Sequence, residues 1–139
     1  MTQINAYITF AGNCREAMLF YRDCFGGELN LQTVAGSPME KHLPPAAAQH
    51  ILHASLTTEG LVLMGTEMVG RDGFAPGNNV SLCISCSTDT DARAYFSRLA
   101  AGGKITCELA DSFWGGVFGA VTDRFGIQWM VNAERKDNN

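Results

Sequence analysis

Charge is scarce in this sequence. Only 17% of its 139 residues are Asp, Glu, Lys or Arg, and 10 basic side chains against 14 acidic ones leave a formal net charge of −4. That is the wrong sign for a surface that tracks phosphates, which argues against nucleic acid as a partner. The basic residues are scattered, with one local pair at Arg135 and Lys136, so an anionic membrane surface is disfavoured too. No apolar run approaches the length of a bilayer crossing, and Met1-Thr2-Gln3-Ile4-Asn5 lacks the cationic stretch followed by an apolar run of an export leader. A cytoplasmic protein is expected.

Other absences narrow the chemistry. No glycine-rich loop is followed by Lys-Ser or Lys-Thr, and no G-x-G-x-x-G opens a helix, so a phosphate cradle is not present. The five cysteines are an odd number, which suits reduced thiols rather than a disulfide framework. Cys83-Ile84-Ser85-Cys86 spells a CxxC, but it sits in the strand-like run 80–86, where a separation of three puts the two sulfurs on opposite sheet faces. Two packed strand cysteines are expected there, not a redox or zinc pair.

What is present is an internal repeat. With 46% hydrophobic residues the chain is rich enough for one cored domain, and at this length it should bury roughly two-thirds of its unfolded surface without a staple. Asn13-Cys14-Arg15-Glu16 and Thr88-Asp89-Thr90-Asp91 each place a capping side chain three residues before an acid. Cys14, Ala17, Met18, Tyr21, Cys24 and Phe25 then follow helical spacing, as do Ala92, Tyr95, Phe96 and Leu99. Both patterns stop at a glycine pair, Gly26-Gly27 and Gly102-Gly103. Strand signals at 4–10, 28–34, 51–57 and 61–66 are matched by 80–86, 104–109, 117–122 and 127–132. The order predicted is βαβββ twice, over about 1–68 and 78–133, joined by the Gly/Pro loop 70–77. Residues 36–45 form an irregular excursion. Each half carries a single helix, so the two are expected to share a core as one α+β domain over 1–139 and to enclose a cavity.

A family resemblance rests on these residues. The halves, with 7–17, Phe20-Tyr21 and Phe25-Gly26-Gly27-Glu28, resemble the PhnB-like branch of the glyoxalase/bleomycin resistance/dioxygenase superfamily, the vicinal oxygen chelate fold. The segments 113–119 and 122–132 resemble the branch's most recognisable stretch. The resemblance implies tandem βαβββ modules forming a curved, mixed-sheet half-barrel around a cavity, and homodimers are common in it. It also implies a divalent metal held by His, Gln or Glu on the first and last strand of each half. In this sequence those places fall near Asn5, Ala6 or Tyr7, at Met64, near Ser81 or Cys83, and at Met130. None is His or Glu, and thioethers and a hydroxyl are poor ligands for such an ion, so no metal and no cofactor are expected there. Some proteins of the branch carry a methyltransferase-type name, but nothing here resembles an adenosylmethionine-binding strand and glycine turn.

Strand parity predicts the cavity wall. In 51–57, Leu52, Ala54 and Leu56 form one apolar face, leaving Ile51, His53, Ser55 and Thr57 on the other. Val80, Leu82, Ile84 and Cys86 are set against Asn79, Ser81, Cys83 and Ser85, and Ile4, Ala6, Ile8 and Phe10 against Asn5, Tyr7 and Thr9. The predicted lining is Tyr7, His53, Ser55, Met64, Thr66, Ser81, Cys83, Gln128 and Met130, semi-polar and uncharged. His53, which titrates near neutrality when unperturbed, is the leading candidate for a ligand contact or general base, against a structural histidine. Glu67 is the second catalytic candidate, against a surface residue ending a strand. His42 and His50 are read as exposed loop residues. Trp114, beside Gly115-Gly116, is a candidate aromatic lid or a plug, and Trp129 is read as core on the helix side.

A homodimer is expected, and two functions follow, beside the duller possibility of a scaffold that only self-associates. One is a metal-independent protein that binds a small molecule without transforming it. The other is a lyase-, glyoxalase- or dioxygenase-type enzyme with a non-standard metal or an acid/base set around His53 and Glu67.

Overall fold

A computed structural model describes residues 2–69, 73–112 and 115–134. The chain divides into two compact units, Met1–Ala75 and Pro76–Asn139, and each repeats one order of elements. The first contains β1 (Ala6–Thr9), α1 (Cys14–Phe25), β2 (Glu28–Thr33), β3 (Ile51–Thr58) and β4 (Leu61–Thr66). The second contains β5 (Leu82–Cys86), α2 (Asp89–Ala100), β6 (Lys104–Asp111), β7 (Val117–Thr122) and β8 (Gln128–Ala133). The sheets have the strand orders β1-β4-β3-β2 and β5-β8-β7-β6. In each, the first strand lies parallel to the last and the other neighbours are antiparallel. A parallel neighbour cannot be reached by a tight turn, so the helix and two further strands make the connection. The result is α+β, with one helix on each mixed sheet.

Helical periodicity decides which face of each sheet is covered. In α1, Cys14, Ala17, Met18, Tyr21 and Cys24 are buried, and a Cβ added to Gly65 of β4 would meet Cys14 Sγ at 3.1 Å and Met18 Sδ at 3.3 Å. Gly65 and Leu63 therefore face α1, as do their register partners Ala54 and Leu56, both fully buried. In the second unit Ala92, Phe96 and Leu99 of α2 are buried, and a Cβ on Gly119 would lie 2.6 Å from Phe96 Cε2. Gly119 pairs with Val131, and Trp129 sits on the same side of β8, 1% exposed, as parity predicts.

The two helix starts differ. Thr88 caps α2 by accepting from Asp91 N at 3.1 Å, as the sequence suggests. Asn13 makes no side-chain cap; Cys14 N donates instead to Glu67 Oε2, 53 residues along the chain, at 3.2 Å. A carboxylate opposite the positive end of the helix out-competes a neutral amide for that donor. The glycine pairs also have two functions. Gly26 ends α1 at φ 73°, whereas Gly27 passes so close to β3 that an added Cβ would stand 2.6 Å from Thr57 O. Gly103 approaches Thr122 O in the same way.

Two parity expectations are corrected. Val80, expected among the apolar set of the fifth strand, precedes β5 and is 72% exposed, because pairing with β8 begins at Leu82. Ile51, expected opposite the helix, is 1% exposed and in the core. The register moves from Gln32↔His53 to Thr33↔Ile51, so Leu52 is an extra residue in a β-bulge, and the bulge returns Ile51 to the helix side.

Candidate functional site

Register fixes which side chains share the face of the first sheet opposite α1. Met64 points away from the helix because Leu63 and Gly65 point toward it. Tyr7 on β1 and Ser55 on β3 are both partners of Met64, and Asn30 on β2 is the partner of Ser55. One transverse row thus reads Tyr7, Met64, Ser55, Asn30. His53 lies two residues from Ser55 on the same face, opposite Gln32.

Tyr7 and His53 meet. The Tyr7 hydroxyl stands 3.3 Å from His53 Nδ1, and the ring centroids are 5.7 Å apart with planes at 40°. The hydroxyl donates when Nδ1 carries no proton, which leaves the imidazole proton on Nε2 as a donor for something else. Tyr7 is 52% exposed and His53 half-buried. Tyr7, Met64, Ser55, Asn30, His53 and Gln32 carry no formal charge when the imidazole is neutral, and Glu28, at the edge of β2 opposite Thr57, is a charged residue bordering them.

Glu67 is placed elsewhere. Its Oε1 accepts from Ile51 N at 2.6 Å and its Oε2 from Cys14 N, so both carboxylate oxygens are held by backbone donors. This geometry joins the start of α1 to the start of β3. Burial, reinforced by the Glu67 carboxylate, pushes the Cys14 thiol up to about 12, so it is a packing group and not a nucleophile. Thr66 is also committed: its hydroxyl donates to Leu52 O at 2.7 Å and accepts from Met68 N at 3.0 Å.

In the second unit, Cys83 and Met130 are register partners, both exposed, and Ala120 follows Met130 in the row. Gln128 shares their face of β8, and Ser81 lies just before β5. Cys83 and Cys86 lie on opposite faces of β5, as expected, but the reading of both as packed is corrected: Cys83 is exposed. Burial, with Asp91 and Cys83 adding, raises the Cys86 thiol. Trp114 lies outside the described residues. His42 and His50 are exposed, as read from the sequence.

Asn30 and Gln32 were not among the predicted lining residues. The signal was available, because Glu28, Asn30 and Gln32 alternate with Leu29 and Leu31. A hollow of about 240 Å³ among Val34, Glu40, Leu43, Pro44, Pro45 and Ala48 holds none of the predicted site residues. We place the candidate site on the Tyr7–His53 face, where titratable and hydrogen-bonding side chains converge, rather than in that hollow.

The places where a metal is implied can be tested by their donors. In the first unit they bring together a phenol and a thioether, Tyr7 and Met64; in the second a thiol and a thioether, Cys83 and Met130. Neither set fits a hard or borderline divalent ion. Among the described residues, no three His, Cys, Asp or Glu side chains gather into a group that would hold one.

Paired βαβββ units with these sheet orders define the glyoxalase-type α+β fold. The profile of the Glyoxalase/Bleomycin resistance protein/Dioxygenase superfamily matches residues 3–131, and the chain belongs to that superfamily. Protein YjdN of Escherichia coli (strain K12) is 29% identical over 143 residues, which take in 96% of this chain and 96% of that one. The crystal structure of protein PA1353 from Pseudomonas aeruginosa is similar at TM-score 0.84 and 33% identity, over 98% of this chain and 100% of the other. A PhnB protein from Bacillus cereus, described as a putative 3-demethylubiquinone-9 3-methyltransferase, gives TM-score 0.73 at 24% identity, over 95% and 99% of the two chains. At that identity it speaks for the fold alone. Among the described residues no helix is long and apolar enough to cross a membrane.

Proposed function

We propose that this chain binds an uncharged small organic molecule against the Tyr7–His53 face of its first unit, without a metal in the usual superfamily positions. The observation that carries the reading is the Tyr7–His53 pair at 3.3 Å on a face of neutral polar groups and one thioether. Tyr7 offers a stacking surface, His53 Nε2 a hydrogen bond, and Asn30 and Gln32 amide donors and acceptors beside it. No Lys or Arg stands in the row to neutralise an anionic ligand.

The same pair favours a second reading, an enzyme of the lyase or dioxygenase type in which His53 acts as a base oriented by Tyr7. In this reading Glu67 is set aside as the acid partner, because its carboxylate is already directed at Cys14 N and Ile51 N.

A thermal-shift screen separates these readings. Neutral aromatic amides and phenols should raise Tm, their carboxylate and ammonium analogues should not, and His53→Ala should abolish the shift. Stabilisation by several degrees with nickel, zinc, manganese or iron would overturn the metal-free reading, and an unchanged shift in His53→Ala would overturn the site. Turnover of a bound compound would establish the enzyme reading.

A further inference from the structure

Tyr7 and His53 come from strands that are not neighbours. β4 lies between β1 and β3, so their backbones are roughly 10 Å apart at ~4.8 Å per strand. Whether a phenol reaches an imidazole across that gap depends on how β4 holds each flanking strand. The end of β4 grips both. Phe10 N, just past β1, donates to Thr66 O at 2.8 Å. On the other side the Thr66 hydroxyl donates to Leu52 O, Glu67 N donates to Ile51 O at 2.9 Å, and Glu67 Oε1 accepts from Ile51 N.

These contacts fall on the two residues of the bulge, Ile51 and Leu52, immediately before His53. A bulge is where a strand's side chains are re-aimed, and left unrestrained it can slip by a residue and turn every following side chain over. The carboxylate contributes more than a neutral acceptor would, since charge-assisted hydrogen bonds are shorter and roughly twice as strong. Its second oxygen, on Cys14 N, ties the same point to the start of α1.

We propose that Thr66 and Glu67 are positioning residues, a clamp whose function is to fix the bulge and so set the His53 imidazole against Tyr7. The inference rests on the Tyr7–His53 face being the site, but its test needs no ligand.

The test is the nuclear Overhauser contact between the Tyr7 and His53 rings in the full chain, at a pH where the imidazole is neutral. Thr66→Val removes the hydroxyl without changing the volume much, and Thr66→Ser keeps it. The ring-to-ring signal should fall severalfold in Thr66→Val, because it varies with the sixth power of distance, and should recover in Thr66→Ser. Glu67→Ala should also lose it. Contacts from Trp129 in the other unit should be unchanged in all three, which a general loss of folding would not allow. If Thr66→Val keeps the ring contact at wild-type strength, the clamp is only structural and the proposal is overturned. If Glu67→Ala does not fold, the Val and Ser pair decides alone. A clamp that behaves as expected in a chain that binds none of the screened compounds would sustain this inference while sinking the binding reading.

Discussion

The two units have one register and different chemistry. Counted from their strand pairings, Tyr7 corresponds to Cys83, Met64 to Met130, Ser55 to Ala120, His53 to Phe118 and Gln32 to Ala110. The first unit's face is polar where the second's is mostly apolar or sulfur-bearing. Among the described residues each unit also has a carboxylate held by several donors, at opposite ends. Glu67 closes the end of β4 on Ile51 at the bulge, whereas Ala133 follows Asn132 where Glu67 follows Thr66, and Asn132 Oδ1 is buried without a hydrogen-bond partner among the described residues. The second unit's carboxylate, Asp123, is 3% exposed at the β7–β8 turn. It accepts from Phe125 N, Ile127 N and Trp129 Nε1 at 2.8, 3.0 and 2.8 Å. One unit places its fixed charge where it steadies a candidate site, the other where it steadies a hairpin and its core.

That contrast can be broken by substitution. Trp129→Ala should lower the unfolding free energy by ~3–5 kcal/mol, since it opens a core cavity and takes a donor from buried Asp123. Glu67→Ala, which leaves two backbone donors unpaired, should cost about 1–3 kcal/mol. Urea denaturation measures both, and a loss for Trp129→Ala no larger than that for Glu67→Ala would overturn this order.

A smaller effect should appear in alkali. The Cys14 thiol ionises near 9.0 in an open chain but only at about 12 when folded, so between those values the unfolded state loses its proton first. Stability is then unaffected below that window and falls as pH rises through it, by about 1 kcal/mol from pH 9 to pH 10. Denaturation of the wild type and Cys14→Ala at several pH values reads this as a difference, and parallel curves would refute it.

The smallest change in stability should come from exchanging the counterparts themselves. His53→Phe and Phe118→His should each shift unfolding by less than about 1 kcal/mol, yet His53→Phe should remove the response to neutral aromatic compounds. If instead Phe118→His abolishes that response, the second unit carries the site.

Much of this was legible because periodicity is local. The glycine pairs, the helical spacing from Cys14 to Cys24, and the parity of His53, Ser55, Cys83 and Trp129 depend on neighbours a few residues away. What was not legible depends on partners remote in sequence. Asn13 has the chemistry of a cap, but the helix start is taken by Glu67 from the far end of β4. Ile51 breaks parity because Thr66 and Glu67 hold a bulge that no alternation within 51–57 announces. Asn30 and Gln32 were readable as an alternating strand, and only register identified their neighbours as Ser55 and His53.

The bulge makes chain length at this point negotiable in evolution. Leu52 is an additional residue, accommodated so that Ile51 stays in the core while His53 faces the other way. A lineage that lost Leu52 would keep both orientations, because adjacent residues of a regular strand face opposite sides, whereas one that kept Leu52 and lost the bulge would put Ile51 and His53 on one face. A single deletion at the start of β3 is therefore tolerable only at the bulge itself, and one placed between His53 and Ser55 would shift the register that sets the row.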